Sequence, residues 1–266
     1  MQDEGSQCVV LACEARAGFR VLDLCAGNGG KSLALAALVG SEGHVLAHDV
    51  VASRLAALRA SAQRAHVAER IDTVETSGAT PAAADPDRAH PDRAHPDRSH
   101  PDRAAAEAAV DTRLLDASRR HAQGGHDIVL VDAPCSSSGA LRRHPGLRWS
   151  GQWASHPTAA STARRALPVL QRRLLRQGAA LTRAGGALVY ATCALDAREN
   201  QDVAAAFEAE FAASGGRRLE PWPFAEGVPG RHEEGTSTHY RTIWPHRHGA
   251  HAIPDGFFIA RWRILE

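Results

Sequence analysis

Short apolar runs alternate along the chain with longer stretches in which apolar positions recur every three or four residues. Residues 18–40, GFRVLDLCAGNGGKSLALAALVG, read as a strand, a glycine-rich turn and a helix. GHVLAHDV (43–50) is a second strand, and ASRLAALRASAQRA (52–65) a second helix with Leu55, Leu58 and Ala62 on one face. RIDTVETSG (70–78) predicts a third strand, a helix follows near 110–122, and HDIVLVD (126–132) is a fourth strand. TARRALPVLQRRLLRQGAALTRAGG (162–186) predicts a long helix closed by glycines, with Pro168 bending it or marking its start. ALVYATC (187–193) is a fifth strand, ARENQDVAAAFEAEF (197–211) a helix, and DGFFIARWRI (255–264) a closing strand. Strands alternating with helices predict an α/β fold, a parallel sheet wound on both faces. In such sheets ligands collect beyond the carboxyl ends of the strands, where the glycine turn, Asp49, Asp132, Cys135 and Cys193 all fall.

One segment breaks the rhythm. ADPDRAHPDRAHPDRSHPDRA (84–104) is four tandem pentapeptides with regular proline and hardly an apolar side chain, so 80–109 is expected to be a disordered insertion in one domain spanning 1–266.

Composition adds exclusions. Hydrophobic content of 44% and charged content of 23% are ordinary for a globular protein, and a net charge of +1 requires any basic surface to be local. No apolar run reaches the roughly eighteen residues a bilayer crossing needs, and the start, MQDEGSQ, is unlike a signal or transit peptide. The five cysteines (8, 13, 25, 135, 193) form no CxxC pair, which argues for reduced thiols rather than a disulfide framework or a zinc site. The histidines at 239, 246, 248 and 251 have irregular spacing, and no metal site is expected. Of 31 basic residues only Lys31 is lysine; in so arginine-rich a chain, a surviving lysine points to a need for its compact ammonium.

The glycine turn DLCAGNGGK (23–31) lets backbone approach a ligand at a helix N-terminus, and Asp49, nineteen residues beyond Gly30, suits a carboxylate that accepts from ribose hydroxyls. A dinucleotide fingerprint begun at Gly27 meets Ser32 at its third glycine, and a phosphate loop would place Cys25 at its first. S-adenosylmethionine, with ribose and amino acid but no phosphate, fits better. Cys135 and Cys193 both follow strands and precede polar loops, so position alone does not assign roles to them. Cys8, Cys13 and Cys25 read as small buried hydrophobes. LRRHPGLRW (141–149) places Arg142, Arg143, His144, Arg148 and Trp149 in one loop, with arginine for phosphate and a ring for stacking on an extruded base. Arg164, Arg165, Arg172, Arg173 and Arg176 extend the positive strip along the next helix, where a solvated face explains them equally well.

Three motifs, DLCAGNGGK, DAPCSSSGALRRHPGLRW (132–149) and YATCALDAREN (190–200), resemble in order the signatures of RsmB/Sun-type RNA cytosine-5 methyltransferases. MQDEGSQ resembles the family's entry segment and WPHRHGAHAIPDGFFIAR (244–261) its closing strand, so the likeness covers the chain apart from 80–109. It implies a Rossmann-like methyltransferase fold with an antiparallel C-terminal strand, S-adenosylmethionine as donor and an RNA cytosine, ribosomal or else transfer RNA, as acceptor. It places cofactor contacts on Cys25, Ala26, Gly27, Asn28, Gly29, Gly30, Lys31, Asp49 and Asp132. It makes Cys193 the nucleophile and Cys135 the thiol that assists product release, with Asp132 and Lys31 beside them.

The chain departs from the family at three points. Family members usually carry proline where Asn28 stands, and an aspartate after strand three where Ser77 and Gly78 stand here. Many also have an N-terminal RNA-binding domain, so targeting is expected from local surface, a partner protein or a ribosome-assembly intermediate. These departures keep open a second reading, a catalytically weak RNA-binding assembly factor. The expected compartment is the cytoplasm for a bacterial chain, the mitochondrial matrix or another organelle for a eukaryotic one.

Overall fold

The computed structural model describes residues 2–76, 112–152, 159–224, 237–245 and 254–266. Its helices are α1 (Glu4–Ala12), α2 (Gly30–Val39), α3 (Ala52–Arg64), α4 (Thr112–His121), α5 (Ala159–Leu181) and α6 (Gln201–Ser214). Its strands are β1 (Arg20–Asp23), β2 (His44–Asp49), β3 (Ile71–Glu75), β4 (His126–Asp132), β5 (Thr182–Thr192), β6 (Arg218–Pro221), β7 (Tyr240–Ile243) and β8 (Phe257–Leu265). They form one sheet in the order β3-β2-β1-β4-β5-β8-β6. β1 to β5 are parallel, and β8 runs antiparallel to β5. The far edge of β8 is taken first by β7, along Phe257–Ala260, then by β6, along Trp262–Leu265.

Period-two alternation in the buried strands builds two cores. Ile128 and Leu130 of β4, Ala187, Val189 and Ala191 of β5, and Phe257 and Ile259 of β8 face α1, α2 and α3. Val129, Val131, Leu188, Tyr190, Phe258, Ala260 and Trp262 face α4, α5 and α6. Both faces are covered, which is why the central strands read as continuous apolar runs. The doubly wound, mostly parallel α/β sheet with an antiparallel C-terminal strand is the expected fold.

A basic side chain lies inside the first core. Arg261 is fully buried. It donates to Ala12 O, Trp222 O and the Glu14 carboxylate, and its guanidinium lies 3.9 Å from the centre of the Trp222 ring. This ties β8 to the end of α1.

The structure differs from the sequence reading at four places. α5 contains Pro168 within it and ends at Leu181, so the glycines at 185 and 186 do not close the helix. They lie inside β5, where the pairing with β4 skips from Thr182 to Ala187 and Gly185 takes a φ of 73°. α6 starts at Gln201, not Ala197, because Ala197–Glu199 form a separate 3-10 turn and Asn200 leaves helical geometry at φ −117°, ψ −99°. β6 and β7 had no counterpart in the sequence reading. The expected insertion at 80–109, and Ser77 and Gly78, lie outside the described residues.

The strand order reverses direction between β1 and β4. The loops after these two strands therefore splay apart and open a crevice at the carboxyl edge.

Candidate active site

The loop after β4 carries Cys135, and Cys193 immediately follows β5, its neighbour in the sheet. Their Sγ atoms lie 3.3 Å apart. Cys193 Sγ is also 3.4 Å from the Ser137 hydroxyl. The Cys193 thiol is held below the ordinary thiol range, chiefly because Cys135 S–H donates to it, with Ser137 adding and burial opposing. Cys135 is pushed well above that range by the same contact and by burial. Cys8 and Cys13 are buried and pushed up by desolvation, Cys8 to about 11, as befits inert core thiols. Cys25, half-buried, is also raised by burial.

The two thiols are held by residues that the sequence reading did not single out. Glu199 Oε2 accepts from Ser136 N at 2.8 Å and from Gln171 Nε2 at 3.3 Å, while Gln171 Nε2 also donates to Pro134 O. Asn200 Oδ1 accepts from the Thr192 hydroxyl at 2.6 Å and Asn200 Nδ2 donates to Ala194 O at 3.0 Å, clamping the turn that presents Cys193. Gly139 N donates to Cys193 O, and a Cβ on Gly139 would lie 2.3 Å from Gly256 O, so only glycine lets the two loops and the chain before β8 meet. Ser137 sits at φ +55°, a left-handed conformation for a residue with a side chain, directly beside both sulfurs. The signal for Glu199 and Asn200 was present as the acid and amide of YATCALDAREN; Asn200 turns back onto Thr192 and Ala194 of that same stretch, whereas the partners of Glu199, Ser136 and Gln171, lie in other segments.

Lys31, in the first turn of α2, reaches across to Asp132 at the end of β4, Nζ to Oδ2 2.6 Å. Burial works against the ammonium, but the Asp132 carboxylate outweighs it and raises the Lys31 pKa. Lys31 Nζ also lies 5.2 Å from the centre of the Phe257 ring. The Lys31 charge is therefore paired first with Asp132, and its effect on the Cys193 thiol is smaller than that of Cys135.

Below this pair lies the glycine loop. Asp23 ends β1 and is buried; its Oδ2 accepts from the Ser32 hydroxyl at 2.7 Å, while Oδ1 has no hydrogen-bond partner. Burial pushes the Asp23 carboxyl up to about 6. Gly29 caps α2 at φ +87° with no side-chain cap, and a Cβ there would strike Leu58 at 2.3 Å. At Gly27 and Gly30 a Cβ would project into open space. Asp49 at the end of β2 accepts from Gly27 N at 2.9 Å and Val51 N at 2.8 Å, so it shapes the loop and keeps lone pairs for a ligand. An open backbone cradle, an uncapped helix N-terminus and a buried carboxylate oxygen without a donor suit a ligand that bears ribose hydroxyls and a charged amine.

Arg142, Arg143, His144, Arg148 and Trp149 lie on the outer loop, with Trp149 86% exposed. The two arginines are not free as the sequence suggested. Arg143 Nε donates to Asp255 Oδ2 at 2.6 Å, and Arg142 Nη2 lies 3.7 Å from Asp3 Oδ2 and 3.8 Å from Asp255 Oδ1. They anchor the loop to both ends of the chain. On α5, Arg172 and Arg176 pair with Glu210 and Arg164 with Asp196, which favours the solvated-face reading for that helix.

The sequence profile of the family described as 16S rRNA methyltransferase RsmB/F matches residues 10–263. Over all of this chain, 35% of residues are identical to Rv1407 of Mycobacterium tuberculosis, which bears only the general name of a methyltransferase. Over 94% of it, 26% are identical to the ribosomal RNA small subunit methyltransferase F of Serratia proteamaculans. The chain spans about half the length of such curated relatives, 46% and 41% of these two. Among solved structures, PH0851 covers the whole chain at a TM-score of 0.69 and 24% identity, matched over 46% of its own length. NSun6 from Pyrococcus horikoshii, solved with SFG, covers it at 0.65 and 22%, matched over 53% of its length. These two likenesses bear on the fold.

Proposed function

The chain belongs to the 16S rRNA methyltransferase RsmB/F family, and from that premise we propose that it is an S-adenosylmethionine-dependent RNA cytosine-C5 methyltransferase acting through a covalent cysteine adduct. The observation that carries the reading is the pair of sulfurs 3.3 Å apart, one depressed and one raised in pKa, beside the Lys31–Asp132 ion pair. Ribosomal RNA is the favoured acceptor, transfer RNA the second.

S-adenosylmethionine, when bound, supplies an electrophilic methyl group. Residues 25–31, Asp49 and Asp132 would hold it, with the unpaired Asp23 oxygen available to its ammonium. Cytosine C5 is a weak nucleophile on its own. Addition of the Cys193 thiolate to C6 pushes electron density onto C5 and replaces one high barrier by two lower ones. The contacts of Cys193 Sγ with Cys135 Sγ and the Ser137 hydroxyl favour its thiolate form. Asp132, fixed by Lys31, faces the position of the base's amino edge and accepts from N4. Once C5 is substituted, its proton must leave. Cys135, half-buried at the crevice, first releases its S–H proton to solvent; its thiolate, the stronger base of the pair, then takes the C5 proton as the Cys193 sulfur departs with the C–S electron pair. Both faces of the ring must be reached, so the cytosine is unpaired or extruded, with Trp149 placed to stack on an RNA base.

Calorimetry with S-adenosylmethionine, followed by bisulfite sequencing of RNA incubated with the chain and the donor, tests the proposal. Donor binding and a new 5-methylcytosine are expected. RNA binding without donor binding would instead make the chain the assembly factor.

A further inference from the structure

Far from the thiols, at the amino ends of the strands, three donor-bearing side chains converge from separate elements. His44 opens β2, Asp72 lies near the start of β3, and His121 ends α4. A ring nitrogen of each histidine and a carboxylate oxygen of Asp72 all lie within 4.8 Å of one another. His44 Nε2 is 3.0 Å from Asp72 Oδ2, and the two imidazole centres are 5.1 Å apart.

The hydrogen bonds behind His121 determine its tautomer. His126 Nδ1 lies 3.3 Å from Leu181 O, a carbonyl that can only accept, so the His126 proton sits on Nδ1 and its lone pair on Nε2. The Ser118 hydroxyl, 3.4 Å from the same Nδ1, is compatible because it can also accept. His121 Nδ1 lies 3.1 Å from the His126 lone pair and must therefore donate to it. That leaves a bare lone pair on His121 Nε2, which is buried and has no hydrogen-bond partner. A histidine whose far nitrogen donates to a fixed acceptor while its near nitrogen presents a lone pair is the arrangement of a metal ligand.

We infer that His44, Asp72 and His121 form a structural site for a divalent ion of the zinc class, with His126 fixing the tautomer of His121. Two imidazoles and one carboxylate suit such an ion, with water completing a tetrahedron. Ligands about 2.1 Å from a shared ion lie roughly 3.4 Å apart. His44 and Asp72 already have that spacing, and Asp72, 68% exposed, is free to close the rest. The Arg20 charge, whose field reaches His121, opposes a dication, and the Asp72 carboxylate offsets it. The ion would tie the starts of β2 and β3 to the end of α4 and so close the stretch of chain between Asp72 and His121. No sequence motif announced the site, because its ligands sit at 44, 72 and 121 with no repeating interval.

The test uses the full chain, stripped with a chelator and titrated with Zn²⁺ by calorimetry and with Co²⁺ by visible absorption. Asp72→Asn, His44→Gln and His121→Asn are run in parallel. One equivalent of ion, a tetrahedral Co²⁺ spectrum, affinity at least about tenfold weaker in each variant, and a Zn²⁺-dependent rise in Tm confined to the unmutated chain are expected. Asp72→Asn alters an exposed side chain, so it carries the test if His121→Asn does not fold. Undiminished binding by Asp72→Asn and His44→Gln would place the ion on other histidines, those of the pentapeptide repeat included, and would overturn the inference. Failure of the unmutated chain to bind either ion would do the same.

Discussion

The Cys135 and Cys193 sulfurs lie 3.3 Å apart although 58 positions separate them in the chain. Parallel pairing of β4 with β5 makes this possible, since Asp132 pairs with Ala191 and both thiols emerge just beyond that rung. Two sulfurs at one point can divide the labour of a covalent mechanism, one attacking and one assisting departure. Cys193→Ala should lower methylation by about a thousandfold or more, roughly 4 kcal/mol of barrier. Cys135→Ala should still attack but fail to release, and a protein–RNA adduct resistant to denaturant should accumulate on a gel. Adduct from Cys193→Ala and none from Cys135→Ala would exchange the two roles.

The asymmetry of the pair is testable without substrate. Cys193 is depressed first by the Cys135 S–H, so its alkylation by iodoacetamide, followed by peptide mass spectrometry, should titrate below an ordinary thiol. Removing the donor in Cys135→Ala should move that midpoint to higher pH. An unmoved midpoint would assign the depression to Ser137 and Lys31.

The Lys31–Asp132 pair is mostly shielded, with side-chain exposures of 11% and 25%. Lys31→Met leaves the carboxylate uncompensated and should cost about 3 kcal/mol in urea denaturation. Combining it with Asp132→Asn should recover part of that loss, because the stranded charge is gone. Lys31→Arg retains the charge, but its planar fork does not replace the single 2.6 Å contact, so methylation should fall while stability largely survives. Full activity in Lys31→Arg would mean that the chain's lone lysine is an accident of composition.

The sequence was readable where one segment determined its own structure. HDIVLVD is a strand with the expected bounds, 126 to 132, because an unbroken apolar run fits only a strand covered on both faces. The meeting of Cys135 and Cys193 followed from topology, since both lie beyond the ends of adjacent parallel strands. Features that depend on partners were hidden. RLEP and YRTI carry no long apolar run and become β6 and β7 because β8 offers them an edge. Glu199 and Asn200 fell within the stretch read as a helix, yet they precede it and their side chains bond Ser136 N and the Thr192 hydroxyl. Arg143 read as an RNA contact, and its partner Asp255 lies 112 positions away. The glycines at 185 and 186 suggested a helix end, but the pairing with β4 drew the chain into the strand from Thr182 onward.

Glu208 gives a prediction about pH. Its Oε1 accepts from His239 Nε2, Tyr240 Oη and Trp262 Nε1, each at 2.8 Å, which pins β7 and β8 to α6. Burial opposes ionisation, but these three donors outweigh it and hold the carboxyl below its usual 4.5. The native state therefore takes up this proton less readily than the unfolded chain. The stabilisation is complete above 4.5 and disappears as pH falls through the lower, native value. Glu208→Gln keeps the shape and an acceptor oxygen but not the charge, and should cost about 2 kcal/mol at neutral pH. Urea denaturation at successively lower pH should show the two proteins converging in acid, because the unmutated carboxyl becomes neutral as well. A gap that stays constant across that range would mean the network depends on the shape of the side chain, with its charge contributing nothing.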